Sequence, residues 1–189
     1  MTKLRTVTTK VGDNGYSSLF SGEKVLKNAP RLEAYGDLDE LTSILGIARH
    51  QVKTPQLAKM ILTIQRDLYR IAAELATTEK KLAQLKERVD ETFLKELEFL
   101  RAELESSVSI PEDFIVPANS LAAAYLDHAR AVSRRCERRA VTLFQQKDIT
   151  NSVVIIWINR LSDILYLMAR LEEGTPLYVK ESRQSKSAA

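Results

Sequence analysis

Five arginines lie close together between residues 130 and 139, and Glu137 is the only carboxylate among them. They are Arg130, Arg134, Arg135, Arg138 and Arg139. The planar, permanently charged guanidinium group binds phosphates and carboxylates through paired hydrogen bonds. In a helix, Arg130, Arg134 and Glu137 share one face, and because a solvated face usually mixes both signs of charge, this pattern favours an anion-binding site. A solvated face and a nucleic-acid surface are the alternatives, although no RNP, helix-turn-helix or zinc motif accompanies the arginines.

Isolated polar residues mark two further candidate positions. Asn159 and Asp163 lie four residues apart in the apolar sequence IIWINRLSDILYLMARL and therefore share a helix face. A polar group that enters a helical bundle needs a partner, because burying it unpaired costs roughly 1–3 kcal/mol. Spacing alone favours neither a structural network between helices nor an edge that faces a ligand. Asp39, which lies in an acidic cluster with Asp37 and Glu40, is expected to pair with a fourth-helix arginine, within the chain or across an interface.

The N-terminal segment is predicted to be a loop, because Gly12, Gly15 and Gly22, three of the six glycines, fall within its first 22 residues. Its sequence TTKVGDNGYSS combines small residues, which leave backbone N–H groups exposed, with a lysine and several hydroxyl groups. That combination suits a polyphosphate. The loop is not a Walker A motif, because the sequence contains no GxxxxGKS/T and no strand is predicted before it.

The rest of the chain is predicted to be helical from Pro30 onward, because apolar residues recur three and four positions apart. The first predicted helix begins at Pro30, and the second begins at Thr54-Pro55. The third carries an apolar face from Val89 to Leu104. The fourth runs from a cap at Asn119 or Ser120 to about Gln146, and the fifth runs from a cap at Thr150 or Asn151 to about Glu173. No segment shows the sustained alternation typical of a strand, so the predicted fold class is all-α, a five-helix up-and-down bundle. One domain is predicted over 1–189, with an N-terminal loop at 1–28, the bundle at 30–173 and a flexible tail at 174–189.

Composition limits the classes to which the chain can belong. Its 189 residues suit one globular domain, and a net charge of +3 is too small to indicate a polyanionic partner by itself. Cys136 is the only cysteine, so no internal disulfide can form and a reducing, cytoplasmic location is expected. No secretory signal and no membrane-spanning run are predicted. His50 and His128 stand apart without cysteines nearby, which argues against a zinc site.

Six sequence motifs occur in the order in which one enzyme family carries them. They are TKVGDNGYSSLFSGE near the start, EAYGDLDEL in the first helix, AELAT at the end of the second, FIVP before the fourth, RAVSRRCERR within it and INRLSD in the fifth. Over residues 8 to 173 the chain resembles the PduO-type ATP:corrinoid adenosyltransferases. The resemblance implies a ferritin-like five-helix subunit that forms a homotrimer with active sites between subunits. It also implies transfer of the 5′-deoxyadenosyl group of ATP to the cobalt of cob(I)alamin, giving adenosylcobalamin and triphosphate.

The resemblance further implies a set of site residues. Those that match the family's ATP contacts are Thr9, Lys10, Gly12, Ser17, Ser18, Lys27, Arg134, Arg135, Glu137, Arg138 and Asn159. Arg130 matches an arginine that pairs with Asp39 between subunits and closes the corrinoid side. Phe114 matches a phenylalanine that displaces the lower axial ligand of cobalt. The residues expected to act in catalysis are Arg134, Asn159, Arg130 and Asp39.

Cofactors and partners follow from the same resemblance. ATP with Mg²⁺ and a corrinoid are the expected small molecules, and the protein ligands of Mg²⁺ stay open. A reductase and an adenosylcobalamin-dependent enzyme are the expected protein partners, with no nucleic acid and no membrane. The chain departs from the family pattern at Ala118-Asn119-Ser120, where relatives commonly have two glycines, and at Asp127, where many have histidine. Two alternatives stay open: a non-catalytic chaperone or sensor that binds ATP or adenosylcobalamin, and a helical scaffold or RNA-binding bundle.

Overall fold

The computed structural model describes Thr8 and residues 10–180, and most of these residues are helical. The α-helices are α1 (Pro30–Gln51), α2 (Pro55–Leu75), α3 (Glu91–Ser107), α4 (Leu121–Gln145) and α5 (Ser152–Glu173), and a 3-10 helix spans Glu79–Gln84. Four short strands are present: β1 (Tyr16–Ser18), β2 (Lys24–Leu26), β3 (Ile115–Val116) and β4 (Leu177–Tyr178). The predicted helical fold is confirmed, whereas the sequence pattern predicts neither the 3-10 helix nor the strands.

The ends of the helices follow local sequence signals. Proline occupies the first turn of both α1 and α2, where its missing N–H is not needed and its fixed φ suits a helix. Ser120 caps α4 by accepting a hydrogen bond from the Ala123 N–H (3.2 Å), and Asn151 caps α5 by accepting one from the Val153 N–H (3.1 Å). Of the alternative caps that the sequence leaves open, the structure therefore uses Ser120 and Asn151.

The helices do not pack in the order in which they follow along the chain. α1 contacts α2 and α4, α4 contacts α1 and α5, and α5 contacts α4 and α3. Small buried residues of α4, among them Ala129, Cys136 and Ala140, allow it to lie close to both neighbours. The helix that carries the arginines is therefore held on two sides, by α1 and by α5.

Helix α5 is the one helix among the described residues that is long and apolar enough to cross a membrane. In this structure its apolar side chains belong to the core, because Trp157, Ile158, Leu161 and Leu165 are all fully buried. The Trp157 ring stacks on the ring of Phe93, with the two centroids 5.4 Å apart. The apolar composition of α5 therefore reflects its place in the protein interior.

A buried carboxylate, Glu74, joins the end of α2 to the starts of α3 and α5. Its oxygens accept hydrogen bonds from the Arg88 guanidinium (3.0 and 3.2 Å), from the Val89 N–H (2.9 Å) and from the Asn151 side-chain amide (2.7 Å). A buried charge is tolerated only when its hydrogen-bonding capacity is met in this way. The AELAT motif thus contributes a connection between elements of the fold.

Two small antiparallel sheets correct the prediction for the loops. In the first, Ser17 of β1 lies opposite Val25 of β2, so part of the predicted N-terminal loop is a β-hairpin. In the second, Ile115 of β3 lies opposite Tyr178 of β4, so a strand lies in the segment predicted to be a flexible tail. These strands span two or three residues, too few for the alternation that identifies a strand in sequence. The part of the predicted tail at 181–189 lies outside the described residues.

Ala118 follows β3 with a φ of 77°, in the left-handed region that favours glycine. The residues around it are well held. The Asn119 N–H donates to the Glu173 carboxylate (3.2 Å), and the Asn119 side-chain amide donates to the Thr175 carbonyl (2.8 Å). The chain thus places an alanine where the backbone geometry suits glycine.

We expect Ala118→Gly to raise the free energy of unfolding by about 1 kcal/mol. A left-handed conformation costs an L-residue about 1–2 kcal/mol, and the greater freedom of glycine in the unfolded chain offsets only part of that gain. The matched control is Ala131→Gly on the exposed face of α4, which should lower the free energy of unfolding by about 1 kcal/mol. Urea unfolding measures both changes, and a loss of stability in Ala118→Gly would contradict the strain at this position.

Candidate functional site

Two of the five α4 arginines are held against α1 by one buried carboxylate. Asp37 is 4% exposed and accepts hydrogen bonds from Arg135 Nε (3.1 Å) and Arg139 Nη1 (2.7 Å). Arg135 also pairs with Glu40, and Arg139 pairs with Glu33 (2.9 Å). Burial by itself would lower the pKa of Arg135, but its hydrogen bonds to Asp37 and Glu40 and their charges raise that pKa. Arg135, which the resemblance assigns to ATP, is therefore engaged within its own chain.

Arg130 and Arg134 lie on the other side of α4 and line a cavity of about 330 Å³. Arg134 is exposed, and its guanidinium makes no hydrogen bond or ion pair with any residue that the structure describes. Arg101 and Arg160 line the same cavity, but both pair with Glu98, at 2.9 Å for Arg101. The uncompensated positive charge of this cavity therefore lies at Arg134.

Glu137 and Asn159 connect α4 to α5. The Asn159 side-chain amide donates a hydrogen bond to Glu137 Oε1 over 2.8 Å. Both residues are predicted ATP contacts, and Arg138, one residue along α4, is exposed and donates to the Arg134 carbonyl (3.0 Å). The Glu137–Asn159 contact leaves one carboxylate oxygen and the amide oxygen without partners among the described residues. The pair therefore links two helices and presents oxygen atoms one turn from Arg134.

The β1–β2 hairpin brings together two of the N-terminal residues assigned to ATP. A Cβ atom at position 12 would lie 2.8 Å from Lys27 Nζ, so glycine at this position leaves room for the lysine side chain. The Lys27 N–H donates to the Gly15 carbonyl (2.9 Å), which fixes the start of this side chain. Gly12 and Lys27 are therefore neighbours although 15 residues separate them along the chain.

The remaining N-terminal candidates lie at the hairpin or before it. Ser17 is half-buried on β1 beside Tyr35 of α1, where burial raises the pKa of Tyr35 and the Ser17 hydroxyl partly opposes that shift. Lys10 and Ser18 are exposed, whereas Thr9 lies outside the described residues. The hairpin is thus in contact with α1.

Phe114 forms part of the wall of a second cavity, of about 430 Å³, which Asp127 and Arg130 also line. Its side chain is 89% exposed. The backbone is held, because the Val179 N–H donates to the Phe114 carbonyl (3.0 Å) next to the β3–β4 pair. The ring does not pack into the core, so it does not anchor the loop to the helices.

The predicted pair of Arg130 and Asp39 does not form within one chain. Arg130 Nε donates to Asp127 (3.2 Å), one turn earlier in α4, and Asp39 is exposed without an ion pair to any described residue. Among the residues that the structure describes, no hydrogen bond or ion pair joins the β1–β2 hairpin to Arg134 or Asn159. One chain therefore carries two separate halves of the predicted site: the hairpin with Asp39, and the arginines of α4 with α5.

Comparison with known proteins identifies the family of this chain. The family model for cobalamin adenosyltransferase matches residues 7–172. The chain belongs to the cobalamin adenosyltransferase family. A corrinoid adenosyltransferase of Citrobacter freundii is 36% identical over 170 residues, which cover 90% of this chain and 96% of that protein. The corrinoid adenosyltransferase PduO of the same organism is 37% identical over 170 residues, and the match covers 88% of this chain and 50% of that longer protein.

A solved structure supports the same conclusion for the fold. A variant of a PduO-type ATP:corrinoid adenosyltransferase from Lactobacillus reuteri, complexed with cobalamin and ATP, matches with a TM-score of 0.81 at 30% sequence identity. The match covers 89% of this chain and 91% of that chain. The family membership predicted from six motifs is thereby confirmed.

The ion pair between Arg170 and Asp127 in this cobalamin adenosyltransferase family member is not predicted from the sequence. Arg170 is buried on α5, and its Nη2 lies 2.6 Å from Asp127 Oδ2. The available signals are an arginine within the apolar sequence LYLMARL and an aspartate three residues before Arg130, a spacing that pairs side chains on a helix. The sequence also favours Asp39 over Asp37 as the partner of the α4 arginines. Only the contact between α1 and α4 distinguishes the two aspartates.

We expect Phe114→Ala to change the free energy of unfolding by less than about 0.5 kcal/mol, because the exposed ring buries little apolar surface. The matched control is Phe93→Ala, which removes a buried ring stacked on Trp157 and should cost about 3–5 kcal/mol. Denaturant unfolding of both variants makes the comparison. A large loss of stability in Phe114→Ala would show instead that the Phe114 ring anchors its loop to the helices.

Proposed function

We propose that this chain transfers the 5′-deoxyadenosyl group from ATP to the cobalt of cob(I)alamin and yields adenosylcobalamin and triphosphate. The observation that carries the proposal is a pair of adjoining cavities that share Arg130 and Tyr166 in their walls. One contains the uncompensated guanidinium of Arg134 and suits a triphosphate. The other exposes the ring of Phe114 and suits a broad, flat, largely apolar macrocycle. The family relatives named corrinoid adenosyltransferases support this assignment.

The reaction requires charge stabilisation from the protein rather than a protein nucleophile. A cobalt–carbon bond forms at C5′ of ATP, the bond between C5′ and its oxygen breaks, and triphosphate leaves with the bonding electron pair. Cobalt supplies the nucleophile, so serine, cysteine and histidine have no part in the bond making. Guanidinium groups fixed beside the leaving group stabilise the negative charge that develops there. Arg134, whose side chain lacks a counter-ion among the described residues, is suited to this role.

Mg²⁺, which the family resemblance implies, fits as an ion that binds together with the triphosphate. The described residues contain no group of three or more His, Cys, Asp or Glu side chains that would hold a metal by themselves. Mg²⁺ held by phosphates needs only one or two protein oxygens, and Glu137 and Asn159 offer theirs one turn from Arg134. Bound there, the ion adds positive charge at the leaving group.

On the corrinoid side, we infer that the Phe114 ring excludes the lower axial ligand of cobalt and excludes water. Phe114 is the most exposed of the large apolar side chains that the structure describes, its backbone is held, and its ring lines the cavity beside Arg130, which supports contact with a ligand there. Removing the lower ligand makes Co(II) easier to reduce to the nucleophilic Co(I) state. The ring therefore acts before the transfer step.

We further infer that three copies assemble and that each site is built from two subunits. Asp39 and Tyr69, which is 68% exposed, line a cavity of about 270 Å³ between α1 and α2, and Tyr35 in its wall contacts Ser17 of the hairpin. In the trimer, Asp39 pairs with the partner subunit's Arg130, and the hairpin approaches the partner subunit's Arg134. Light scattering should then give three times the chain mass of 21.4 kDa. The mass of a single chain would contradict this assembly.

A cytoplasmic location and two kinds of protein partner belong to the same proposal. Cys136 is the only cysteine of the sequence and is buried, as expected in a reducing compartment where no disulfide is needed. The reaction consumes Co(I), so a one-electron reductase must supply the reduced corrinoid. Its product is a coenzyme, so an adenosylcobalamin-dependent enzyme must take it up.

We expect Arg134→Ala and Asn159→Ala each to lower the rate of adenosylcobalamin formation by about a hundredfold or more. Removing one group that stabilises developing charge typically costs ~3 kcal/mol. The assay mixes protein, ATP, Mg²⁺ and chemically reduced cobalamin under anaerobic conditions and follows the absorbance of the product. Arg66→Ala, which removes an exposed arginine of α2, is the matched control and should retain the wild-type rate. Wild-type rates in both site variants would remove these residues from the site.

A further inference from the structure

A buried network of charged side chains lies beside the cavity that contains Phe114. Asp127, which is 7% exposed, stands between two arginines: Oδ1 accepts from Arg130 Nε (3.2 Å), and Oδ2 accepts from Arg170 Nη2 (2.6 Å). Arg170 Nε in turn lies 3.0 Å from Glu173 Oε2, an ion pair without a hydrogen bond. The half-exposed Arg130 is thus connected through Asp127 to the protein interior.

The charges of this buried network balance, because its two arginines face two carboxylates. Buried ion pairs contribute little net stability, since the cost of removing the ions from water offsets much of their attraction. Apolar residues of similar size would hold α4 and α5 together as well. The network is therefore better explained by the geometry that it imposes on the one member that reaches the surface, which is Arg130.

Arg130 is a side chain whose geometry matters to both cavities, because it lines the cavity of Arg134 and the cavity of Phe114. Its Nε is occupied by Asp127, whereas its two terminal nitrogens have no hydrogen bond or ion pair among the described residues. A guanidinium held at Nε keeps its planar fork free for a second partner.

We propose that Asp127 is a positioning residue for the corrinoid side of the site: it holds Arg130 through Nε, is itself anchored by the buried Arg170, and leaves the terminal nitrogens of Arg130 free for the partner subunit's Asp39 beside the corrinoid cavity. The proposal rests on the function proposed above. Asp127 makes no contact with the substrates and acts only through Arg130.

The loop that carries Phe114 is attached to the far end of this network, at Glu173, and not to Asp127. Glu173 Oε1 accepts a hydrogen bond from the Asn119 N–H (3.2 Å), five residues after Phe114. A change at Glu173 therefore disturbs the buried charges around Arg170 without touching the bond between Asp127 and Arg130. Glu173→Gln keeps an oxygen for the Asn119 N–H and serves as the matched control.

The test is the affinity for cob(II)alamin of the full-length wild-type protein and of Asp127→Asn, measured by absorbance titration with saturating ATP. Asparagine keeps the shape of the side chain but cannot neutralise two arginines. We expect the corrinoid affinity to fall about tenfold or more, since small displacements of a binding group have effects of this size. The affinity for ATP should stay within about twofold, because the guanidinium of Arg134, which is assigned to the triphosphate, has no bond to Asp127 or Arg130.

A triple variant separates positioning from stability. Asp127→Asn with Arg170→Gln and Glu173→Gln leaves no buried charge without a partner, so its melting temperature should recover toward the wild-type value. Positioning predicts that its corrinoid affinity stays low, because Arg130 still lacks the carboxylate that holds Nε. Glu173→Gln should lower the melting temperature and retain the wild-type corrinoid affinity.

Two results would overturn the role of Asp127. The first is an Asp127→Asn variant that binds corrinoid as the wild type does. The second is a corrinoid affinity that recovers together with the melting temperature in the triple variant. Both readouts are binding measurements, so they decide the role of Asp127 separately from turnover. A wild-type protein that binds the corrinoid but never forms adenosylcobalamin would instead contradict the proposed function.

Discussion

The site depends on the rotation of α4 about its own axis, and one buried carboxylate sets that rotation. Asp37 holds Arg135 and Arg139, four residues apart on one side of α4, against α1. Because each residue turns the helix by about 100°, Arg130 and Arg134 then lie on the opposite side. A helix rotated by one position would move the free guanidinium of Arg134 away from its cavity. The ion pairs at Asp37 therefore determine which arginines are held against α1 and which remain available to a ligand.

The division between compensated and uncompensated charge gives the two cavities their different chemistry. Around Arg134, Glu98 of α3 and Asp163 of α5 neutralise the neighbouring Arg101 and Arg160 and leave one guanidinium without a partner among the described residues. Around Phe114, the charges of Arg170 and Arg130 are matched by Asp127 and Glu173, and an aromatic ring is exposed. In the function proposed above, the first arrangement stabilises an anionic leaving group, and the second suits a macrocycle that carries little net charge. Under that proposal the protein supplies electrostatics and exclusion of a ligand, and the reacting atoms belong to the substrates.

Sequence reasoning succeeds where one residue type has one local meaning. Proline at the starts of α1 and α2 and small polar caps at the starts of α4 and α5 fix the helix boundaries, because such signals act over three or four residues. It fails where the partner is distant along the chain. Asp37 and Asp39 cannot be told apart as partners of α4 without the contact between α1 and α4. The two short sheets are not predicted from the sequence either, because the pairing of two or three residues depends on the approach of distant segments rather than on a local pattern. The site residues taken from the family resemblance are consistent with the charges found here, but their contacts to substrates stay predictions.

Displacement of triphosphate by cobalt can be tested through the stoichiometry of the products. Purified protein, ATP, Mg²⁺ and chemically reduced cobalamin are mixed under anaerobic conditions, adenosylcobalamin is followed by absorbance, and phosphorus NMR identifies the phosphate product. We expect one intact triphosphate for each adenosylcobalamin formed, because cobalt displaces the whole leaving group and no protein side chain carries a covalent intermediate. Binding of ATP and corrinoid without formation of adenosylcobalamin would instead assign the chain to binding proteins of the same fold.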